Sequence, residues 1–327
     1  MLSLLLPVLA ASATPAIQAA SHPDARQRRA VLERVADLVR DRYVRADHAA
    51  RIAAAIREDA RSARFADAAS ADDFAARVTA RLRAISGDGH FALERRATSS
   101  GAGDDRAELE RWYGTHVNHG FERVERLEGG IGYLDLRVFA PVSMGGDLAA
   151  AAMTLLAQSP ALIIDLRRNG GGMDDMTRLL AAYLLDDVRE MSGKYDRPSG
   201  RTTKYFTPKN VEGRRFGGAK PVYVLVSRRT FSAAEAFAYD LQAMKRAVVV
   251  GERTGGGAHP FEYRSAGHGY VLSLPEGRSV SPITGTDWEG VGVKPDVEVS
   301  ADQALETALS LAQARLEPGG RAPGGKK

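Results

Sequence analysis

Ser232 is the residue of this chain whose position best suits it to do chemistry. It follows the apolar run Val222–Val226 and a short Ser-Arg-Arg loop. That order predicts a buried strand, a tight turn and a helix starting at the serine. A serine at such a turn projects its hydroxyl from a sheet edge, and the first helical amides have no partners within the helix. Free amides are what a developing oxyanion needs, so the placement favours a nucleophile.

A glycine-rich stretch, residues 165–172, ends another buried strand and precedes a helix; it reads Asp-Leu-Arg-Arg-Asn-Gly-Gly-Gly. Three glycines let the backbone approach a ligand and adopt positive φ. A phosphate cradle, an oxyanion loop and a plain turn are the alternatives, but the Lys-Ser/Thr pair of a P-loop is missing. We favour an oxyanion loop, because a sequentially wound sheet puts this stretch beside Ser232.

A base and an acid are available in distant parts of the chain. His90 ends a Gly-Asp-Gly-His turn near the predicted domain boundary, where clefts form; Asp88 of that turn either orients or caps the loop. A lone histidine is more often structural, and Asp287-Trp288-Glu289, taken alone, is more often a solvent-facing loop. An acid beside an imidazole, however, fixes its tautomer and lets it act as a base. We interpret Glu235 as a capping-box acid for the helix after Ser232.

The hydrophobic pattern predicts two kinds of architecture. Apolar residues at three- and four-residue steps predict about three helices between residues 24 and 85. Residues 97–105, rich in Ser, Gly and Asp, predict a linker. Strands then alternate with helices, which predicts a parallel or mixed sheet covered by crossover helices. We therefore predict a helical N-terminal domain (21–96), an α/β core (106–317) and a disordered tail (318–327).

The order of the motifs resembles one family of serine peptidases: the tail-specific (carboxy-terminal processing) proteases, the tricorn core and interphotoreceptor retinoid-binding protein. The resemblance runs from about residue 85 to residue 317. It rests on five motifs in sequence: Gly-Asp-Gly-His, Asp-Leu-Arg-x-Asn-Gly-Gly-Gly, Thr-x-Ser-Ala-Ala-Glu, Val-Gly-Glu-x-Thr-x-Gly and Glu-Gly-x-Gly-x-x-Pro-Asp.

This resemblance implies a mixed-sheet α/β core of the ClpP/crotonase-like type with a helical N-terminal bundle. In the Ser–Lys branch of the family a lysine follows Val-Gly-Glu-x-Thr-x-Gly, but here Gly257 stands in that place. The tricorn-like branch uses serine, histidine and glutamate instead. Motif by motif, the nucleophile falls on Ser232, the base on His90 and the acid on Glu289. The oxyanion hole falls on the amides of Ala233 and of Gly170 or Gly171.

Another departure from the tail-specific proteases concerns the PDZ module that they carry before the core. Only 39 residues, 92–130, lie between Phe91 and Ile131, too few for that module. The expected architecture is therefore closer to the retinoid-binding-protein-like members.

Composition limits the partners and the compartment. Lys and Arg number 45 and Asp and Glu 41, a net charge of +4, and the mixed charges without interleaved aromatics do not favour nucleic-acid binding. The chain has no cysteine, which excludes disulfides and thiolate chemistry. Residues 1–20 resemble a secretory signal peptide, although no basic residue precedes their apolar stretch. We expect no integral membrane segment in the mature chain.

The predicted function is an exported, periplasmic or secreted serine peptidase that cleaves peptide or protein substrates through an acyl-enzyme. No metal or organic cofactor is implied, and the sequence does not indicate an oligomeric state. Two alternatives remain: a non-catalytic carrier of an apolar ligand on the same fold, and an esterase using the same residues.

Overall fold

The computed structural model describes residues 24–96 and 102–317, with side chains from residue 106 onward in the second range. These ranges contain eight α-helices: α1 Ala25–Arg42, α2 Ala46–Arg61, α3 Ala71–Ser86, α4 Ala102–Tyr113, α5 Val142–Leu156, α6 Asp174–Leu184, α7 Ala233–Ala243 and α8 Ala304–Leu316. Two short 3₁₀ helices span Thr115–Gly120 and Glu128–Gly130.

The same ranges contain twelve strands in three sheets. A six-stranded sheet has the order β12-β8-β7-β4-β3-β2, and two three-stranded sheets have the orders β1-β10-β9 and β11-β5-β6. Their bounds are β1 Ala92–Arg95, β2 Phe121–Arg126, β3 Gly132–Leu136, β4 Leu162–Asp165, β5 Glu190–Asp196, β6 Arg201–Phe206, β7 Val222–Val226, β8 Val248–Gly251, β9 Phe261–Gly267, β10 Tyr270–Pro275, β11 Gly277–Val280 and β12 Val297–Glu298.

The six-stranded sheet is the scaffold of the α/β core. Its strands run parallel except for β2, which pairs antiparallel with β3. Alternate residues of β4 face opposite sides: Leu162 and Ile164 pack with α5, α6 and α7, whereas Ile163 packs with α8. Burial on both faces explains why these strands are almost continuously apolar. The loops after β4 and β7 leave neighbouring strands at the same edge, where α/β sheets bind ligands.

The N-terminal helices do not form a core of their own. α1, α2 and α3 share one apolar cluster with residues of β1, β9 and β10, so the three helices pack on a sheet that includes late parts of the chain. Arg42 of α1 and Arg264 of β9 both pair with the buried carboxylate of Glu276, at 2.5 and 2.7 Å. The helical bundle is thereby fixed to the β9–β10 hairpin.

The sequence predicted most of this architecture. Three N-terminal helices, the buried strands near residues 162 and 222 and the mixed α/β class are confirmed. The linker prediction was too long, because α4 already begins at Ala102. The β5–β6 hairpin was not predicted, since one of its strands is almost wholly exposed and carries no apolar pattern.

The predicted signal peptide (1–20), the first part of the linker (97–101) and the predicted tail (318–327) lie outside the described residues. Within residues 24–96 and 102–317, no helix is both long and apolar enough to cross a bilayer.

Candidate active site

Ser232 occupies a strained turn between β7 and α7. Its φ is +55° and its ψ is −123°, a conformation that non-glycine residues rarely adopt and that the surroundings must enforce. The turn is held from the β4 side, since the Thr230 hydroxyl donates to the Leu166 carbonyl at 2.8 Å and the Ser227 hydroxyl to the Arg167 carbonyl at 2.6 Å. The serine is thus fixed at the edge of the sheet, as the sequence predicted.

His90 lies within hydrogen-bond distance of Ser232. Its Nε2 is 3.1 Å from Ser232 Oγ, although 142 positions separate the two residues. The histidine follows α3, which ends in a left-handed glycine, Gly87. Its ring packs against Phe231 and Phe261, at centroid distances of 4.7 and 5.8 Å. Burial lowers the pKa of His90 to about 4, against the opposing charge of Asp88, so the imidazole is neutral and able to accept a proton at pH 7.

The glycine-rich loop lies directly against the serine turn. The Phe231 amide donates to the Asn169 carbonyl at 3.1 Å, and a Cβ added to Gly171 would come within 2.7 Å of Ser232 Cβ. The Gly171 amide already donates to Asn169 Oδ1 at 2.8 Å. Gly170 is exposed, with open space around it, and Ala233 is the first residue of α7, where amides lack helical partners. Of the predicted oxyanion donors, Gly170 and Ala233 therefore have the more suitable surroundings.

Gly257 is a glycine because His90 and Phe231 fill the space beside it. A Cβ at this position would lie 2.2 Å from Phe231 Cζ and 2.7 Å from His90 Cε1. Any larger side chain, lysine included, would collide with the histidine that contacts Ser232. The close packing of His90 and Phe231 therefore leaves no room for a lysine at position 257.

The buried carboxylate of Glu235 joins the serine turn to the loop after β8. It accepts hydrogen bonds from the amides of Ser232, Gly257 and Gly256 at 2.9, 2.8 and 2.7 Å, and from the Thr254 hydroxyl at 2.5 Å. The first of these bonds is the capping interaction that the sequence predicted. The other three show that one side chain aligns two loops of the site.

Glu289 lies in a buried cluster behind His90 but forms no hydrogen bond with it. Its Oε2 accepts the Ala258 amide at 2.6 Å and lies 3.6 Å from Nδ1 of His259. Neither Glu289 Oε1 nor His90 Nδ1 has a hydrogen-bond partner among the described residues. Trp288 beside it is buried, and its indole nitrogen donates to the Gly257 carbonyl at 3.0 Å, which ties this loop to the site.

Asp88 is at the centre of the same cluster. Its Oδ2 accepts from His259 Nδ1 at 2.7 Å and from the Tyr43 hydroxyl at 3.3 Å, and its Oδ1 accepts the His90 amide at 3.0 Å. Asp88 Oδ1 also lies 3.8 Å from His90 Nδ1.

The cluster shifts the protonation of its members. Burial, and then the charge of Asp88, raise the pKa of Glu289 to about 8. Burial alone would lower the pKa of His259, but its hydrogen bond to Asp88 and the nearby carboxylates raise it above the ordinary value. The cluster therefore favours the protonated forms of Glu289 and His259.

The cluster also contains the kinds of side chain that ligate metal ions. The carboxylate oxygens of Asp88 and Glu289 and a ring nitrogen of His259 lie within 4.8 Å of one another. A cation there would have to replace the hydrogen bond between Asp88 and His259, which already joins two of the three groups. We therefore describe the cluster as a hydrogen-bonded network of acids and histidine.

Two residues of the site were missed by sequence reasoning. His259 was not considered, although it follows a run of three glycines and Ala258 at the end of the β8 loop, a setting like that of His90. Asp88 was considered only for its effect on the loop. Phe261 and Tyr263 are both partly exposed on β9, and Phe261 contacts His90.

Comparison with protein families identifies the chain. Residues 130–299 match the model described as peptidase family S41, and residues 24–115 match the N-terminal domain of peptidase S41 in eukaryotic IRBP. The chain belongs to peptidase family S41. Among curated relatives, a carboxy-terminal-processing protease of Bartonella bacilliformis is 28% identical over 179 residues, which cover 53% of this chain and 40% of the relative.

Solved structures support the fold. A protein of Parabacteroides merdae superposes with a TM-score of 0.62 at 18% identity, covering 89% of this chain and 97% of its own. The tricorn protease superposes with a TM-score of 0.53 at 16% identity, covering 86% of this chain and 35% of its own. The matches to curated relatives span 36–40% of those relatives' lengths, so most of each relative has no counterpart in the match.

Proposed function

We propose that this S41 family member is a serine peptidase that hydrolyses peptide bonds with Ser232 as nucleophile and His90 as general base. The observation that carries the proposal is the 3.1 Å separation of His90 Nε2 and Ser232 Oγ. A serine hydroxyl is a weak nucleophile until a base takes its proton, and a buried neutral imidazole at this distance is such a base.

The proposed reaction has two halves. Ser232 Oγ attacks the peptide carbonyl while its proton passes to His90 Nε2, and the carbonyl oxygen becomes an oxyanion near the amides of Gly170 and Ala233. His90 then returns the proton to the leaving amine, which leaves an acyl-enzyme on Ser232. Water, deprotonated by His90, attacks the acyl group, and His90 returns the proton to Ser232 Oγ as the ester bond breaks and the acid product leaves. The carboxylate that supports His90 comes from the cluster containing Glu289 and Asp88.

The test is peptide turnover by purified Ser232→Ala and His90→Gln variants. Turnover is expected to fall by about 10³-fold or more in both, since neither half-reaction can proceed without the nucleophile and base. Ser143→Ala, an exposed serine on helix α5, is the matched control and should retain wild-type rates. Wild-type turnover by Ser232→Ala would overturn the proposal.

A fluorophosphonate probe distinguishes the alternatives. A serine hydrolase should be labelled stoichiometrically at Ser232 and remain unlabelled in the Ser232→Ala variant, whereas a carrier of an apolar ligand has no reason to react. Parallel assays with a peptide and an ester of the same acyl group separate a peptidase from an esterase. Export, predicted from residues 1–20, belongs to the same proposal and is tested by cell fractionation.

A further inference from the structure

The ring nitrogen of His90 that faces away from Ser232 has no hydrogen-bond partner. His90 Nδ1 is fully enclosed, and the side chain is only 5% exposed. When His90 takes a proton from Ser232, both ring nitrogens carry N–H groups. A buried imidazolium without an anion or acceptor is costly, so the proposed catalysis requires an acceptor or an anion opposite Nδ1.

The carboxylate oxygen facing this nitrogen belongs to Asp88. Asp88 Oδ1 lies 3.8 Å from His90 Nδ1, less than 1 Å beyond hydrogen-bond distance. Catalytic hydrogen bonds are often long in a free enzyme and tighten when the substrate binds. Asp88 and His90 are two positions apart on one turn.

Every hydrogen bond that the Asp88 carboxylate makes among the described residues is one that it accepts. Its two oxygens receive hydrogen bonds from the His90 amide, His259 Nδ1 and the Tyr43 hydroxyl, and the residue is 1% exposed. Three donors and no acceptor match the bonding pattern of an ionised carboxylate. Glu289, in contrast, accepts the Ala258 amide through Oε2, which lies 3.6 Å from His259 Nδ1, and it forms no ion pair with His90 among the described residues.

From these contacts we infer that Asp88, and not Glu289, is the carboxylate that orients and stabilises His90, and that His259 holds Asp88 in place. Both act through His90 and are positioning residues. The inference rests on the proposed function, because it assigns a partner to the proposed base. In the reaction the proton moves only between Ser232 Oγ and His90 Nε2; Asp88 stays ionised and accepts the Nδ1–H bond.

The pH dependence of the reaction gives a readout that a merely structural role would not change. The charged groups that act on His90 are Asp88 on its own turn, His259 on the segment before β9, and Arg83 of α3. The negative charge of Asp88 raises the pKa of His90, whereas burial and the two cations lower it. Removing that negative charge should therefore move the acid limb of kcat/KM to lower pH.

The experiment compares Asp88→Asn with Glu289→Gln in the full chain, each change replacing a carboxyl group by an amide of nearly equal volume. We expect Asp88→Asn to lower kcat by about 10²–10⁴-fold with little change in KM, and to shift the acid limb downward from a wild-type limb already below pH 6.5. In Glu289→Gln, kcat should fall by less than about tenfold, and the acid limb of the pH profile should stay where it is in the wild type. A loss of 10²-fold together with a downward shift in Glu289→Gln would overturn the inference.

A second pair of variants tests His259. His259→Gln retains an N–H donor for Asp88, whereas His259→Leu removes it. The leucine variant is expected to lose most of its kcat and of its fluorophosphonate labelling rate, and the glutamine variant to recover part of both. Equal activity in the two variants would contradict the positioning role. This arm tests the role of His259 even if Asp88→Asn does not fold.

Failure of the inference and failure of the proposed function look different. If Ser232→Ala still cleaves peptides, the proposed function itself is wrong. If Ser232→Ala is inactive while Asp88→Asn matches the wild type, only the assignment of the carboxylate is wrong.

Discussion

The absence of a side chain at position 257 leaves room for His90 beside Ser232. The glycine leaves room for Phe231 and His90, both of which a Cβ would meet at less than 3 Å. Real Cβ atoms do not approach other atoms this closely, and cores resist added volume because their neighbours are already close-packed. The histidine arrangement and a side chain at this position therefore exclude each other.

Gly257→Ala is expected to displace the ring of His90 from Ser232. Peptide turnover should fall by at least about tenfold, with a cost in folding stability of roughly 1–3 kcal/mol from overpacking. The measurements are the fluorophosphonate labelling rate and the thermal unfolding midpoint. Gly146→Ala on helix α5, where alanine is favoured over glycine, serves as the control. An unchanged labelling rate in Gly257→Ala would show that the packing around His90 is looser than described.

At the scale of the elements, the serine turn is aligned by its neighbours rather than by its own sequence. Helix α7 supplies Glu235, whose carboxylate accepts three hydrogen bonds from the loop after β8. The loop after β4 holds the other side of the turn. Such shared contacts maintain a backbone conformation that costs on the order of 1–3 kcal/mol.

Glu235→Gln should lower both the folding stability and the activity of the protein. A carboxylate can accept all four hydrogen bonds, whereas an amide nitrogen cannot accept any, so at least one buried donor is left without a partner. The expected cost is about 1–3 kcal/mol per such donor, together with reduced labelling of Ser232. Chemical unfolding measures the loss of stability, and the rate of fluorophosphonate labelling measures the effect on Ser232. Glu252→Gln, a half-buried acid on the same loop, should be close to wild type.

At the scale of the whole molecule, the active site depends on how the helical bundle docks. His90 follows α3 of the bundle, and Ser232 begins α7 of the α/β core. Apolar contacts with the β9–β10 hairpin and the paired arginines on Glu276 fix the two halves together. The distance between His90 and Ser232 therefore depends on how the bundle packs against the core.

Glu276→Gln tests this dependence. Burial opposes ionisation, but the hydrogen bonds from Arg264 and Arg42 lower the pKa of Glu276 below its ordinary value. This contribution to stability is present above the unfolded pKa of about 4.3 and is lost as pH falls through the lower folded pKa. The free energy of unfolding of the variant should be lower than that of the wild type by roughly 2 kcal/mol at pH 7 and by less at pH 3. Chemical unfolding at both pH values measures the difference. An equal loss at both would exclude the charge pairing as the cause.

The sequence by itself determined the chemistry that is available and its order along the chain. Local patterns were sufficient for the buried strands, the bundle helices, the serine turn and the capping role of Glu235, because these depend on neighbours a few positions away. Only the tertiary structure shows which carboxylate lies near His90. The family resemblance implied Glu289, whereas in the folded chain the carboxylate oxygen 3.8 Å from His90 Nδ1 belongs to Asp88, which in turn accepts a hydrogen bond from His259. Which of several carboxylates faces a ring nitrogen depends on how distant loops pack, and no local pattern encodes that geometry.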